Sequence, residues 1–222
     1  MQYYPLFPLI HPVLKTAFPQ CLWQGNNQQN EIALTFDDGP NPEYTPELLT
    51  VLDYYQIPAS FFWLGYCVDR YPQIAREIYQ RKHWIGLHGY QHYSFPVLTL
   101  PQIQDSLIKT QTAIVKACNL EANLVLDVRP PNGLFTPKIL TVLQQWNYRP
   151  VMWSVVPEDW VHPGVDTVVK RVIKTTVSGS IIVLHDGYCG GRDVAKSAAK
   201  IIPKLLEKGY KFVTINKLWQ HH

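Results

Sequence analysis

Apolar residues in this chain fall into short runs without a helical period, separated by stretches in which they return about every three to four positions. Ile32–Phe36 is the clearest run: Ile32, Leu34 and Phe36 alternate with Ala33 and Thr35, the pattern of a strand buried on both faces. Similar runs at Ala59–Leu64, Trp84–Leu87, Leu124–Val128, Val151–Val155, Ser180–Leu184 and Lys211–Ile215 read as strands, with Cys21–Trp23 as a candidate edge strand. Helices are expected between them. One opens at the Thr45-Pro46 cap signature and carries Leu48, Leu49, Leu52 and Tyr55, and others span Pro72–Lys82 and Pro101–Cys118. The Thr136-Pro137 signature opens a fourth, Val165–Val177 is a fifth, and Asp193–Lys208 is a sixth, stopped by Gly209. Strands alternating with helices, with no internal repeat, imply parallel pairing through right-handed crossovers.

The polar positions narrow the architecture. Asp37 and Asp38 follow the first core strand, His88 and His92 the third and Asp159 the fifth, while Arg129 ends the fourth and His185 the sixth. An open sheet converges ligands only at a switch point, whereas a barrel gathers every strand end around one mouth. The expectation is a single-domain α/β barrel over residues 31–215, with an extension at 1–30 and a tail at 216–222.

Composition adds exclusions. The 222 residues are 46% hydrophobic and 17% charged with a net charge of +3, so nothing electrostatic points to nucleic acid or an anionic membrane. Cys21, Cys67, Cys118 and Cys189 form no CxxC and read as buried free thiols. The first twenty residues are apolar but broken by Pro5, Pro8, Pro12 and Pro19, with no basic residue before Lys15. They lack the form of a signal peptide and cannot span a membrane as a helix, so the default location is cytoplasmic, with an envelope association left open.

Asp38, His88 and His92 make a facial set of one carboxylate and two imidazoles that suits a divalent metal with open positions. Zinc is the first choice; cobalt, nickel and manganese are compatible. Asp37, adjacent but pointing elsewhere, can serve as the base for a bound water. If the bond cut is an amide, the leaving nitrogen needs an acid, and His185 fits, with Asp159 to hold it protonated and Arg129 to keep Asp37 ionised and oriented. Read singly, Arg129 and Asp159 could be a plain ion pair and His185 a satisfied core histidine.

TFDDGP (Thr35 to Pro40), the HxxxH of His88 and His92, RPPNG (Arg129 to Gly133), EDW (Glu158 to Trp160) and LHDG (Leu184 to Gly187) occur in one order. In that order the chain resembles the NodB-type polysaccharide deacetylases of carbohydrate esterase family 4. The resemblance implies a distorted barrel of seven parallel strands and a metal-dependent hydrolase that removes acetyl groups from N-acetylglucosamine-type glycans: peptidoglycan, chitin oligomers or an exopolysaccharide. It implies that Asp37 is the base, that Asp38, His88 and His92 hold the metal, that His185 is the acid, and that Arg129 and Asp159 position base and acid. It further implies that Trp160 and Leu184 wall the acetyl methyl and that the Asn132 amide helps hold the oxyanion. Three departures stand out. Gly89 replaces a Ser or Thr, which predicts a looser loop between the histidines; Asn132 replaces a Tyr; and Val156 replaces an Asp, which predicts a less polar pocket. The alternatives are an amidohydrolase of small non-sugar amides and a non-catalytic sugar-binding protein.

Overall fold

The computed structural model describes residues 6–26 and 28–220. Residues 1–5, 27 and 221–222, parts of the expected extension and tail, lie outside the described residues. The strands are β1 (Glu31–Asp37), β2 (Ser60–Trp63), β3 (Trp84–Leu87), β4 (Asp127–Val128), β5 (Arg149–Pro150), β6 (Ile181–His185) and β7 (Lys211–Phe212). The helices are α1 (Phe7–Ala17), α2 (Thr45–Tyr54), α3 (Gly65–Arg70), α4 (Pro72–Gln80), α5 (Leu100–Cys118), α6 (Pro137–Gln145), α7 (Val165–Thr175), α8 (Val194–Glu207) and α9 (Ile215–Trp219). None of them is long and apolar enough to cross a membrane.

All pairings are parallel, in the order β5-β4-β3-β2-β1-β6, and β7 joins the start of β1. The sheet curls into a distorted α/β barrel whose edges, β5 and β6, are stitched together by single bridges rather than by a full ladder. Leu22 bridges to Val151, and Val155 to Ile182. The run Val151–Val155 is therefore not a strand as expected. Past Val151 the backbone turns away from β4, its Met152 N–H donating to Leu22 O and its Val155 N–H to Ile181 O. The Leu124–Val128 run likewise contracts to two paired residues behind a single 3-10 turn, and Lys211–Ile215 yields Ile215 to α9.

Strand alternation divides two cores. Ile32, Leu34 and Phe36 of β1 face the helical layer, whereas Ala33 joins Leu22, Phe62, Val151, Ile181, Ile215 and Leu218 in the lumen. The C-terminal segment is thus a plug: Leu218 fills the lumen, and the Trp219 indole donates to buried Asp127 at 2.8 Å, beside Trp84 (2.6 Å) and Arg149 (2.9 Å). At the other end of the chain, α1 packs despite its prolines. Pro12 forfeits one backbone bond, and the helix is retained by burial of Phe7 and His11.

Thr45 was expected to cap α2, but its hydroxyl works elsewhere. It accepts from the Asn41 N–H at 2.9 Å and donates to Asp186 at 2.5 Å. Thr136 does cap α6, accepting from Ile139 N–H.

Candidate active site

The strand ends deliver their charged residues to one mouth. Asp37 closes β1 and His185 closes β6, and the two are register partners on adjacent strands, so both side chains leave the same face. His88 lies one residue past β3 and Arg129 one past β4. Asp38 sits in the left-handed region at φ 76°, which a short polar side chain tolerates.

Asp38, His88 and His92 converge, although His88 and His92 occupy a loop rather than a helix. Asp38 Oδ1 lies 3.5 Å from His88 Nε2 and 3.4 Å from His92 Nε2, and this buried oxygen has no hydrogen-bond partner. His88 Nδ1 is 2.7 Å from the Arg129 carbonyl, which can only accept, so Nδ1 carries the proton and Nε2 offers a lone pair. Burial lowers the His88 pKa, against the pull of Asp37 and Asp38. An orphaned carboxylate oxygen facing an oriented imidazole lone pair is what a divalent cation requires.

Arg129 is fully buried in the lumen, its guanidinium 4.0 Å above the Phe62 ring and 5.5 Å from that of Trp153. It donates to Asp37 Oδ1 at 2.6 Å, to Thr35 Oγ1 at 2.8 Å and to Met152 O at 2.9 Å. Thr35 in turn donates to Ile182 O. Asp37 is thereby aimed with its other oxygen 4.0 Å from His88 Nε2. Arg129 and Asp159 do not pair with each other. Asp159 instead takes two His185 donors, the ring Nδ1 at 2.9 Å and the backbone N–H at 2.8 Å, and leaves Nε2 facing the mouth. Burial alone would lower the His185 pKa, but the Asp159 charge and hydrogen bond, helped by Asp38 and Asp37, lift it to about 10. Trp160 stands edge-on to this ring, centroids 5.1 Å apart.

The polysaccharide deacetylase family model matches residues 24–151, more than half of the chain. The chain belongs to the polysaccharide deacetylase family. A peptidoglycan-N-acetylglucosamine deacetylase of Bacillus cereus is 33% identical over 201 residues, covering 90% of this chain and 92% of its own. A chitooligosaccharide deacetylase of Sinorhizobium fredii is 36% identical over 203 residues, 86% of this chain and 91% of its own. The crystal structure of a peptidoglycan N-acetylglucosamine deacetylase superposes with a TM-score of 0.88 at 29% identity, covering 95% of this chain and 98% of that one.

Within this deacetylase the wall residue on β6 needs correction. Alternation turns Leu184 into the helical core, on the face opposite His185; the residue sharing the His185 face is Val183. The loop between the histidines is not loose either. Gly89 adopts φ 81°, and Ser106 from α5 supplies a hydroxyl that accepts the Tyr90 N–H at 2.7 Å, while Gly65 and Tyr66 donate to the carbonyls of residues 89 and 90. Asn132 donates from its side chain to Ser94 at 2.8 Å, tying the RPPNG turn to that loop.

Sequence reasoning missed a further buried carboxylate beside the site, Asp186. Burial raises its pKa to about 7, with Asp38 and Asp37 adding to the rise against the Thr45 hydrogen bond. Its carboxylate lies where a Cβ on Gly39 would stand, and a Cβ on Gly187 would run into Asp38, so both glycines are required by close approach. LHDG was read for its histidine, and the adjacent Asp looked like an ordinary turn residue. Cys189 is exposed, unlike the three buried thiols, because it rides the same loop.

Proposed function

We propose that the chain is a metal-dependent N-deacetylase that hydrolyses the acetamide of N-acetylglucosamine-type glycans, releasing acetate. The observation that carries this is the opposed polarity of two neighbouring groups: Asp37 is held by a buried arginine, and His185 is held by a carboxylate. That is a base and an acid poised beside one ligand set, the requirement for cutting an amide with a poor leaving group.

Asp38, His88 and His92 would hold a divalent cation such as zinc, which would supply Lewis acidity to a water and to the acetamide carbonyl. Asp37 takes the proton from the attacking water while Arg129, itself anchored on Thr35, holds it in place. The Asn132 N–H, presented by a backbone in the left-handed region, donates to the developing oxyanion. His185 delivers its Nε2 proton to the leaving nitrogen, and Asp159 stabilises the imidazolium until it does. Trp160 and Val183 receive the acetyl methyl. Tyr93, Leu134 and Tyr188, each exposed and each following a site motif, leave an apolar rim suited to sugar faces of a longer glycan.

The test is acetate release from N-acetylglucosamine oligomers and peptidoglycan by metal-stripped enzyme, with and without zinc. Release should require the metal and vanish in Asp37→Asn and His185→Ala. Zinc-independent release, or release that survives both substitutions, contradicts the assignment.

A further inference from the structure

One buried member of the apolar wall behind His185 comes from the far N-terminal side of the chain, ahead of residues 24–151, the span of the family match. That member is Phe7, in the first turn of α1. Phe7, Val156 and Val183 form one contiguous buried cluster, and Trp153 and Trp160 pack against it. Val183 shares the inner face of β6 with His185, and Trp160 meets the His185 ring edge-on. The same cluster therefore reaches the acyl side of the reacting amide. Both valines are short, and the Phe7 ring, 9% exposed, is the large side chain that closes the cluster from the N-terminal side. Val156, where the resemblance predicted a carboxylate, gives that ring an apolar seat.

We infer that Phe7 sets the depth of the acyl pocket, so that the N-terminal helix restricts this enzyme to acetyl over longer N-acyl groups. The inference rests on the deacetylase reading above, which directs the acetyl methyl to the Trp160 and Val183 wall. One methylene in a closed apolar pocket is worth about 10- to 200-fold in discrimination.

Shortening Phe7 removes one anchor of α1 and leaves others. The His11 ring sits 5.9 Å from Trp23, Phe18 meets Phe135 edge-on at 5.1 Å, and the Trp23 indole donates to Phe18 O at 3.0 Å. Phe7→Ala thus opens the end of the pocket while the helix stays docked.

The experiment compares kcat/KM of the zinc-loaded full chain on glucosamine tetramers bearing N-acetyl, N-propionyl or N-butyryl groups. Phe7→Ala should raise the propionyl-to-acetyl ratio by about 10-fold or more. Phe7→Trp, which overfills the same space without loosening the helix, should lower it, and this tests the inference even if Phe7→Ala folds poorly. Leu9→Ala, on the exposed face of α1, should leave the ratio at the wild-type value. An active Phe7→Ala and Phe7→Trp with wild-type ratios would overturn the inference alone. Absence of acid release from every acyl form by the wild-type enzyme would overturn the deacetylase reading and this inference with it.

Discussion

Replacing Asp159 with asparagine should convert the acid His185 from a group protonated across the working range into one that titrates within it. In the native site His185 is lifted from 6.5 to about 10. That gap corresponds to roughly 5 kcal/mol in favour of the imidazolium. An asparagine at this position can serve only one of the two His185 donors and brings no charge, so both leading causes of the rise are lost. With burial still favouring the neutral ring, a fall to the ordinary value or below would leave His185 at most about three-quarters protonated at pH 6 and at most about one part in 300 protonated at pH 9. The predicted loss in kcat/KM therefore grows steeply with pH, from a small factor at pH 6 to about 300-fold or more at pH 9. The assay is a pH profile of acetate release from about pH 5.5 to 10 at constant ionic strength, wild type against Asp159→Asn. A loss of the same size at every pH would refute the reasoning, because it would mean that Asp159 shapes the site without setting the protonation of the acid.

Two further predictions follow from buried groups near the mouth. Asp186 titrates at about 7 in the folded chain against 3.8 ordinarily, so the native state keeps a proton that the unfolded chain has released. Stability of metal-stripped protein should fall by roughly 4 kcal/mol as pH rises from about 4 to 7 and then level off. Asp186→Asn should flatten this slope in urea unfolding, and an unchanged slope would contradict the protonated carboxyl. Burial pushes the thiols of Cys21 and Cys67 up to about 12 and that of Cys118 to about 11, whereas Cys189 is exposed. Ellman's reagent should titrate one thiol in native protein and four in urea; two or more fast native thiols would show that the core opens.

The barrel was legible because strands buried on both faces write continuous apolar runs, and because ionisable residues at successive strand ends are hard to accommodate unless the ends meet. What escaped was structure that depends on pairing across the chain. Val151–Val155 has the composition of a strand, yet after Val151 its backbone donors go to Leu22 and Ile181, partners remote in sequence. Prolines concealed α1, whose hold on the barrel is tertiary. At the site, aspartates, histidines and arginine announce themselves by type, whereas Thr35 and Asp186 act through position. Thr35 could have been found from alternation, since it shares the Asp37 face two residues back. The same rule, applied at β6, selects Val183 over Leu184. Asp186 offered no such signal, because its burial comes from Gly39 and Thr45 folding over it.

The most direct test of the account is an anomalous difference map, at the zinc absorption edge, from crystals grown with zinc. It should show one strong peak about 2.0–2.2 Å from Asp38, His88 Nε2 and His92 Nε2, with Asp37 and His185 left free to handle protons. A peak coordinated by Asp37 or His185, or no peak among these side chains under saturating zinc, would contradict the central claim.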